Sequence, residues 1–119
     1  MGETVATLTV RGAGKERKIK AVVDTGATNT TLDRQLAKDL GIIATDRQEV
    51  VLANGRPETV GVGSADVEIE GVRRVVPVFI HGSNLVGLTT LEAAGLRVNP
   101  ITRELEHVPG KLLGLKPTK

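Results

Sequence analysis

Asp24 is the residue best placed to do chemistry. Two β-branched apolar residues, Val22 and Val23, lead into it, and Thr25, Gly26, Ala27 and Thr28 follow. That order predicts a buried strand delivering a carboxylate at its end, on a loop that Gly26 lets bend tightly. A carboxylate so held can act as a general acid or base. A strand-ending turn with a solvated Asp is the plainer alternative, because Asp, Thr and Gly are all ordinary turn formers. Four other Asp residues exist, Asp33, Asp39, Asp46 and Asp66, and none follows an apolar strand and precedes Thr-Gly or Ser-Gly. Asp33 is expected in the first turn of a helix, where an acid favours the dipole, and the others on the surface. His81 and His107 are the only histidines, and their spacing suggests no metal ligation. Glu104 and Glu106 alternate along an expected strand, which reads as a solvated face. No metal and no cofactor is expected.

The elements that must hold Asp24 come from a chain of 119 residues, enough for one domain. Hydrophobic residues make up 39 % but aromatic ones 1 %, Phe79 alone, so the core must be Val, Leu, Ile and Ala. Dense β-branched residues punctuated by 14 Gly and 5 Pro read as a strand-rich fold with many turns. A net charge of +2 is too balanced to imply nucleic acid or an anionic membrane as the partner, and Trp and Tyr are absent as stacking platforms. With no Cys there is no disulfide framework, Cys-based zinc site or thiol nucleophile. No stretch approaches the ~20 apolar residues of a membrane span. Charged and polar residues interrupt the amino terminus from Glu3 onward, so no apolar signal core is read there, and a cytoplasmic location is the expectation.

Along the chain, residues 3–10 with apolar points at Val5, Leu8 and Val10, a Gly12-Ala13-Gly14 turn and residues 17–23 predict a first hairpin. Lys15, Arg17, Lys18 and Lys20 near its turn read as a solvated tip. Leu32, Leu36 and Leu40 recur at helical spacing, with Gly41 as a cap, and predict a helix over 32–40. Strands are expected over 49–53 and 59–69, joined by a tight Asn54-Gly55 turn. Gly61 and Gly63 inside the second arm weaken it or let another backbone come close. A dense apolar strand follows over 74–80. After the run Leu85-Val86-Gly87, Thr89 or Thr90 is expected to cap a small helix ending at Gly95. Residues 96–98 and 104–108 flank Asn99-Pro100-Ile101-Thr102 as a closing hairpin. The domain is expected over 1–108, with a loosely held tail over 109–119.

In this order the chain resembles the retropepsins, the single-domain, retroviral-like aspartic proteases. Three features carry the likeness: Val22-Val23-Asp24-Thr25-Gly26-Ala27, the hairpin from about Val50 to Gly63, and Leu85-Val86-Gly87 before a short helix. It spans roughly residues 3–108. Gly87-Leu88 at the helix start and Asn99-Pro100 in the closing hairpin are more similar to cellular and prokaryotic members than to viral ones. The resemblance implies an all-β fold: a closed retropepsin-like β-barrel with a flap hairpin and one or two short helices, acting as a C2 homodimer. It also implies that Thr25 hydrogen-bonds across the dimer axis. Gly26 brings substrate backbone near the carboxylates, and Leu52, Ala53, Asn54 and Gly55 form a flap over an extended peptide or unfolded protein. Two departures stand out. Thr89 replaces an Asp common in relatives, and Thr28 replaces an acidic residue that in viral members helps hold substrate backbone.

Peptide hydrolysis by carboxylates needs two of them close together, one as base on a water and one as hydrogen-bond or proton donor to the carbonyl. Like charges ~3 Å apart cannot both ionise, so such a pair shares one proton. One Asp-Thr-Gly per 119 residues therefore calls for a second copy, with a twofold axis between the two Asp24 side chains. The resemblance makes residues 3–10 and 96–108 the candidate interface strands. Ala27, in place of the Ser of pepsin-like enzymes, removes a hydroxyl that stabilises an ionised pair, and predicts a less acidic pH optimum. Nearly absent aromatics predict aliphatic side-chain pockets and apolar residues at the cleavage site. The alternative is a dimeric peptide-binding or assembly module on the same fold with little or no proteolysis.

Overall fold

The computed structural model describes residues 3–109. Among them run β1 (Thr4–Arg11), β2 (Glu16–Val23), β3 (Thr30–Asp33), α1 (Arg34–Asp39), β4 (Asp46–Val51), β5 (Pro57–Ile69), β6 (Val72–His81), β7 (Leu85–Val86), α2 (Leu88–Ala94), β8 (Leu96–Val98) and β9 (Leu105–His107). The expected tail begins at their edge, and residues 110–119 lie outside the described ones.

The seven-stranded sheet runs β1-β2-β7-β3-β6-β5-β4, and a second pairing of β1 with β5 closes its first six strands into a barrel. Closure removes the edges that would otherwise template aggregation. β4 pairs only with the first half of β5, from Val51↔Pro57 to Asp46↔Val62. The β4–β5 hairpin therefore extends beyond the barrel. β8 and β9 form a separate two-stranded sheet. No helix is long and apolar enough to cross a membrane among the described residues.

The core is aliphatic, as the composition requires. Leu8, Val10, Leu32, Leu40, Val67, Ile69, Val78, Val86 and Leu91 are all buried. On β1 the inward face is Thr4, Ala6, Leu8 and Val10. Val5, an apolar point of the expected strand, is 54 % exposed: alternation has a period of two, and Val5 is out of phase with Leu8. The 12–14 turn is not simply a solvated tip. Ala13 N donates to Leu40 O at 2.8 Å, and a Cβ on Gly12 would stand 1.9 Å from that oxygen. The lysines and Arg17 beside the turn are exposed, as expected.

The helix expected over 32–40 begins as strand, at Leu32 and Asp33. Thr30–Asp33 pairs in parallel with β6, from Thr30↔Val78 to Asp33↔His81, and only Arg34–Asp39 is helical. β-branched Thr30 and Thr31 favour the strand, and Leu32 is buried from it while Leu36 and Leu40 are buried from the helix and its end. The leucine spacing thus joins two elements. Asp33 is not inside the first turn: it is the N-cap, its carboxylate accepting from Gln35 N at 3.0 Å and Leu36 N at 3.4 Å. Gly41 follows the helix with φ 70°, as its capping position requires.

Candidate active site

β2 delivers Asp24 at the end of a parallel pairing with β7, Val22↔Leu85 and Val23↔Val86. Asp24 N then donates to Val86 O at 2.9 Å, and the loop turns back through Ala27 N to Asp24 O at 3.1 Å. Gly26 N donates to the Asp24 Oδ1 at 2.9 Å, which fixes the side chain over its own loop. Asp24, Thr25, Gly26 and Thr28 are exposed, and Ala27 is half-buried.

The loop is bolted to the start of α2. Leu88 N donates to Ala27 O and Thr89 N to Thr28 O, each at 2.8 Å. Free N–H groups at a helix start need acceptors, and here the loop's carbonyls supply them. This overturns the expectation that Thr89 or Thr90 caps the helix: the N-cap is Gly87, with no side-chain cap. Gly87 is required for another reason. A Cβ there would lie 2.4 Å from both the carbonyl carbon and oxygen of Asn29. Beneath it, Thr30 Oγ1 accepts from Gly87 N at 3.1 Å and shares a 2.6 Å hydrogen bond with Thr90 Oγ1, both threonines being buried. Two buried hydroxyls satisfy each other there, in a place the sequence did not mark. At Gly95 the helix ends in a left-handed cap, φ 69°, as expected.

In front of the loop lies a cleft of about 580 Å³. Gly26, Ala27, Thr28, Asn29 and Thr31 form one wall with Phe79 and Leu85, and residues 48–53 of the β4–β5 hairpin form the other. Phe79 corrects the expectation of purely aliphatic pockets. It and Leu85 flank Thr31 in the strand registers Thr31↔Phe79 and Thr31↔Leu85. Sequence reasoning also missed Gln48 to Val51 as cleft residues. Their alternation gives the strand but not which way the hairpin curls.

Of the four residues expected at the hairpin tip, Leu52 and Ala53 line the cleft, and Asn54 and Gly55 shape the turn. The turn is longer than the two-residue Asn-Gly type expected. Gly55 N donates to Leu52 O at 2.8 Å, Leu52 N to Arg56 O at 2.9 Å, and Gly55 takes φ 83°. The left-handed residue is thus the last of a three-residue loop, which ends β4 at Val51 rather than Ala53. Gly63 does admit close backbone, but from within the chain, and Gly61 admits a side chain. A Cβ on Gly63 would stand 2.8 Å from Ile43 O, and one on Gly61 2.9 Å from the Ala44 Cβ.

Leu85, Val86 and Gly87 take three roles. Leu85 lines the cleft, Val86 is fully buried, and Gly87 admits the Asn29 backbone. The other Asp residues are committed elsewhere. Asp33 caps α1, Asp39 accepts from Gln35 Nε2 at 2.8 Å, Asp46 accepts from Arg47 N at 2.8 Å, and Asp66 is bound by Arg73. The Arg73 hydrogen bond holds the Asp66 carboxyl below its ordinary range. Asp24 itself lines not the cleft but a separate hollow of about 370 Å³, together with Glu3, Thr4, Val22, Val23, Thr25, Val98 and Arg103. His81 lies at the far end of β6, its Nε2 2.6 Å from the Glu58 carboxylate.

Comparison with known proteins agrees with this geometry. No curated protein matches the chain. A family model described as aspartyl protease matches residues 6–96, from within β1 to the first residue of β8, and so takes in the barrel, the Asp24 loop and α2. The chain belongs to that aspartyl protease family, of the retropepsin-like clan.

Proposed function

We propose that the chain is a homodimeric aspartic endopeptidase in which Asp24 of each of two copies supplies half of one catalytic pair. The observation that carries this reading is Asp24 itself. It is an exposed carboxylate, clamped by Gly26 N on a loop stitched to β7 and α2, with every other Asp engaged elsewhere. A single carboxylate cannot be base and proton donor at once, so the chemistry requires a second copy on a twofold axis beside the loop. The pair shares one proton. The ionised member takes a proton from water as the water oxygen bonds to the carbonyl carbon, while the protonated member donates to the carbonyl oxygen. The tetrahedral centre then breaks its C–N bond as the first carboxyl passes its proton to the leaving nitrogen and the second takes one back from a hydroxyl of that centre, which restores the pair's single proton. The two apparent pKa values belong to the pair.

The cleft in front of the loop takes an extended peptide between the β4–β5 hairpin, acting as flap, and the loop at its foot. Main-chain hydrogen bonds give affinity, and Phe79, Leu85 and Val50 favour apolar side chains near the scissile bond. Thr28 contributes a hydroxyl where viral relatives carry charge, so main-chain pairing carries more of the affinity here.

The test is incubation of the purified chain with unfolded casein across roughly pH 3–7, spanning the carboxylate range, with and without pepstatin. Wild type cleaves and pepstatin blocks it. Asp24→Asn does not cleave, and Glu3→Gln, which alters the only other acid lining Asp24's hollow, cleaves like wild type. Cleavage surviving in Asp24→Asn sinks the assignment. A wild type that never cleaves, yet binds peptide as well as Asp24→Asn does, makes the chain a dimeric binding module instead.

A further inference from the structure

We propose that Glu58 and His81 are positioning residues of the substrate cleft: their hydrogen bond ties the β4–β5 hairpin to β6 and sets how far the hairpin stands from the Asp24 loop. The tie follows from geometry alone, and its effect on substrate rests on the proteolytic reading above.

The hairpin leaves the core at Val60. Val60 is buried, and no residue of 46–59 is. Core packing therefore holds the root of the hairpin and not its arms. Among the described residues, Glu58 is the one residue of 46–59 whose side chain hydrogen-bonds or ion-pairs outside that stretch. Asp46 and Asn54 spend their side chains within it, on Arg47 N and Arg56 N. His81 Nε2 donates to Glu58 Oε2 at 2.6 Å, and Arg34 Nη2, at the start of α1, stands 3.9 Å from the same oxygen. The His81 and Glu58 side chains are 29 % and 37 % exposed, so this bond to a carboxylate is partly shielded from water and stronger than one on open surface.

The tie stands beside the cleft. Glu58 is opposite Val50 in the β4–β5 register, and His81 is two residues from Phe79, hence on the same face of β6. Val50 lines the hairpin wall of the cleft and Phe79 the wall facing it. One hydrogen bond thus spans the two walls next to residues that would grip substrate. A hairpin held this way is set over the cleft before a peptide arrives. Without the tie it spends more time away, and the fraction of molecules ready to clamp a peptide falls.

The chain has no Cys, so a single thiol can carry a spin label. Arg56→Cys puts it on the exposed hairpin turn, in an Asp24→Asn background chosen to prevent self-cleavage. Without substrate, adding His81→Leu or Glu58→Leu makes the label more mobile. His81→Gln, whose amide nitrogen reaches about as far as Nε2, restores the parent spectrum, and the shorter His81→Asn does not. Asp66→Asn, which breaks the Arg73 ion pair at the other end of β5, leaves it unchanged. An unchanged label in both leucine variants overturns the proposal, whether or not the chain cleaves anything. So does His81→Asn restoring the spectrum as well as His81→Gln. With Asp24 intact, each leucine variant raises KM for a peptide about fivefold and leaves kcat within about twofold. The double variant is no worse than either single one. A loss in kcat at unchanged KM, or additive losses in the double variant, overturns the proposal. A wild type that cleaves nothing takes down the proteolytic reading instead, and the label then decides the tie by itself.

Discussion

At single residues, the site separates what the fold needs from what the chemistry needs, and two glycines mark the division. A Cβ on Gly87 would fall 2.4 Å from the Asn29 backbone, which cannot yield without moving β3 or the α2 start. Gly87→Ala is therefore expected to cost about 2–3 kcal/mol of stability, read as a lowered denaturant midpoint. A Cβ on Gly26 would fall 3.2 Å from the Asp24 Oδ1, and the side-chain carboxylate can give way. Gly26→Ala is expected to keep stability within about 1 kcal/mol of wild type while cutting casein cleavage roughly tenfold or more, because on the proposed reading the displaced atom belongs to the catalytic pair. Equal stability losses in the two variants, or an active Gly26→Ala, would contradict this division. The tight loop at Asp24 and Gly26 was legible from residue type alone. Thr30 and Thr90 were not: their hydroxyls matter because two distant segments bury them 2.6 Å apart, a fact of tertiary packing that no local spacing carries.

Among the elements, strands and turns were the most legible and boundaries the least. The closing hairpin stands where Asn99-Pro100 predicts it, with Asn99 Oδ1 accepting from Ile101 N and Thr102 N. The leucine run over 32–40 misled because helical spacing also fits a buried strand residue followed by a short helix. Nothing local announces that Thr30–Asp33 will pair with β6. The closing hairpin carries its own pH dependence. Glu106 accepts from Asn99 Nδ2 at 3.0 Å and from Arg97 Nε at 2.6 Å, and first the Asn99 and then the Arg97 hydrogen bond lowers its pKa. A carboxyl depressed by folding stabilises at pH above its ordinary value, and that contribution fades as pH falls through the lowered one. Wild type is thus expected to melt above Glu106→Gln at pH 7, and the gap to close toward pH 3. The Asp66 carboxyl, also lowered, is common to both proteins, so it cancels from the difference. A gap independent of pH, or one widening in acid, would remove Glu106 from this role.

For the whole molecule, the barrel closes on itself while the chemistry does not. β1 returns to β5 and closes the barrel, yet the loop stitched to β7 and α2 presents one carboxylate to the outside. Sequence reasoning reached this incompleteness by counting: one Asp-Thr-Gly in 119 residues, and a reaction needing two acids. On the proposed reading the second acid comes from another copy, and counting residues does not give the face from which that copy approaches. Subunit mixing tests the count without any knowledge of the interface. Wild type is combined with an equal amount of Asp24→Asn, and subunits are allowed to exchange fully. If each active centre needs Asp24 from both copies, only dimers of two wild-type chains cleave, and random pairing makes them roughly a quarter of the total. Cleavage per total dimer then falls to about a quarter of that of undiluted wild type, and further Asp24→Asn drives it down as the square of the wild-type fraction. If each chain works by itself, half the activity remains and the decline is linear. The quadratic fall is the expected result, and a linear one would mean that the second acid lies within the chain, with Glu3 beside Asp24 the first residue to substitute.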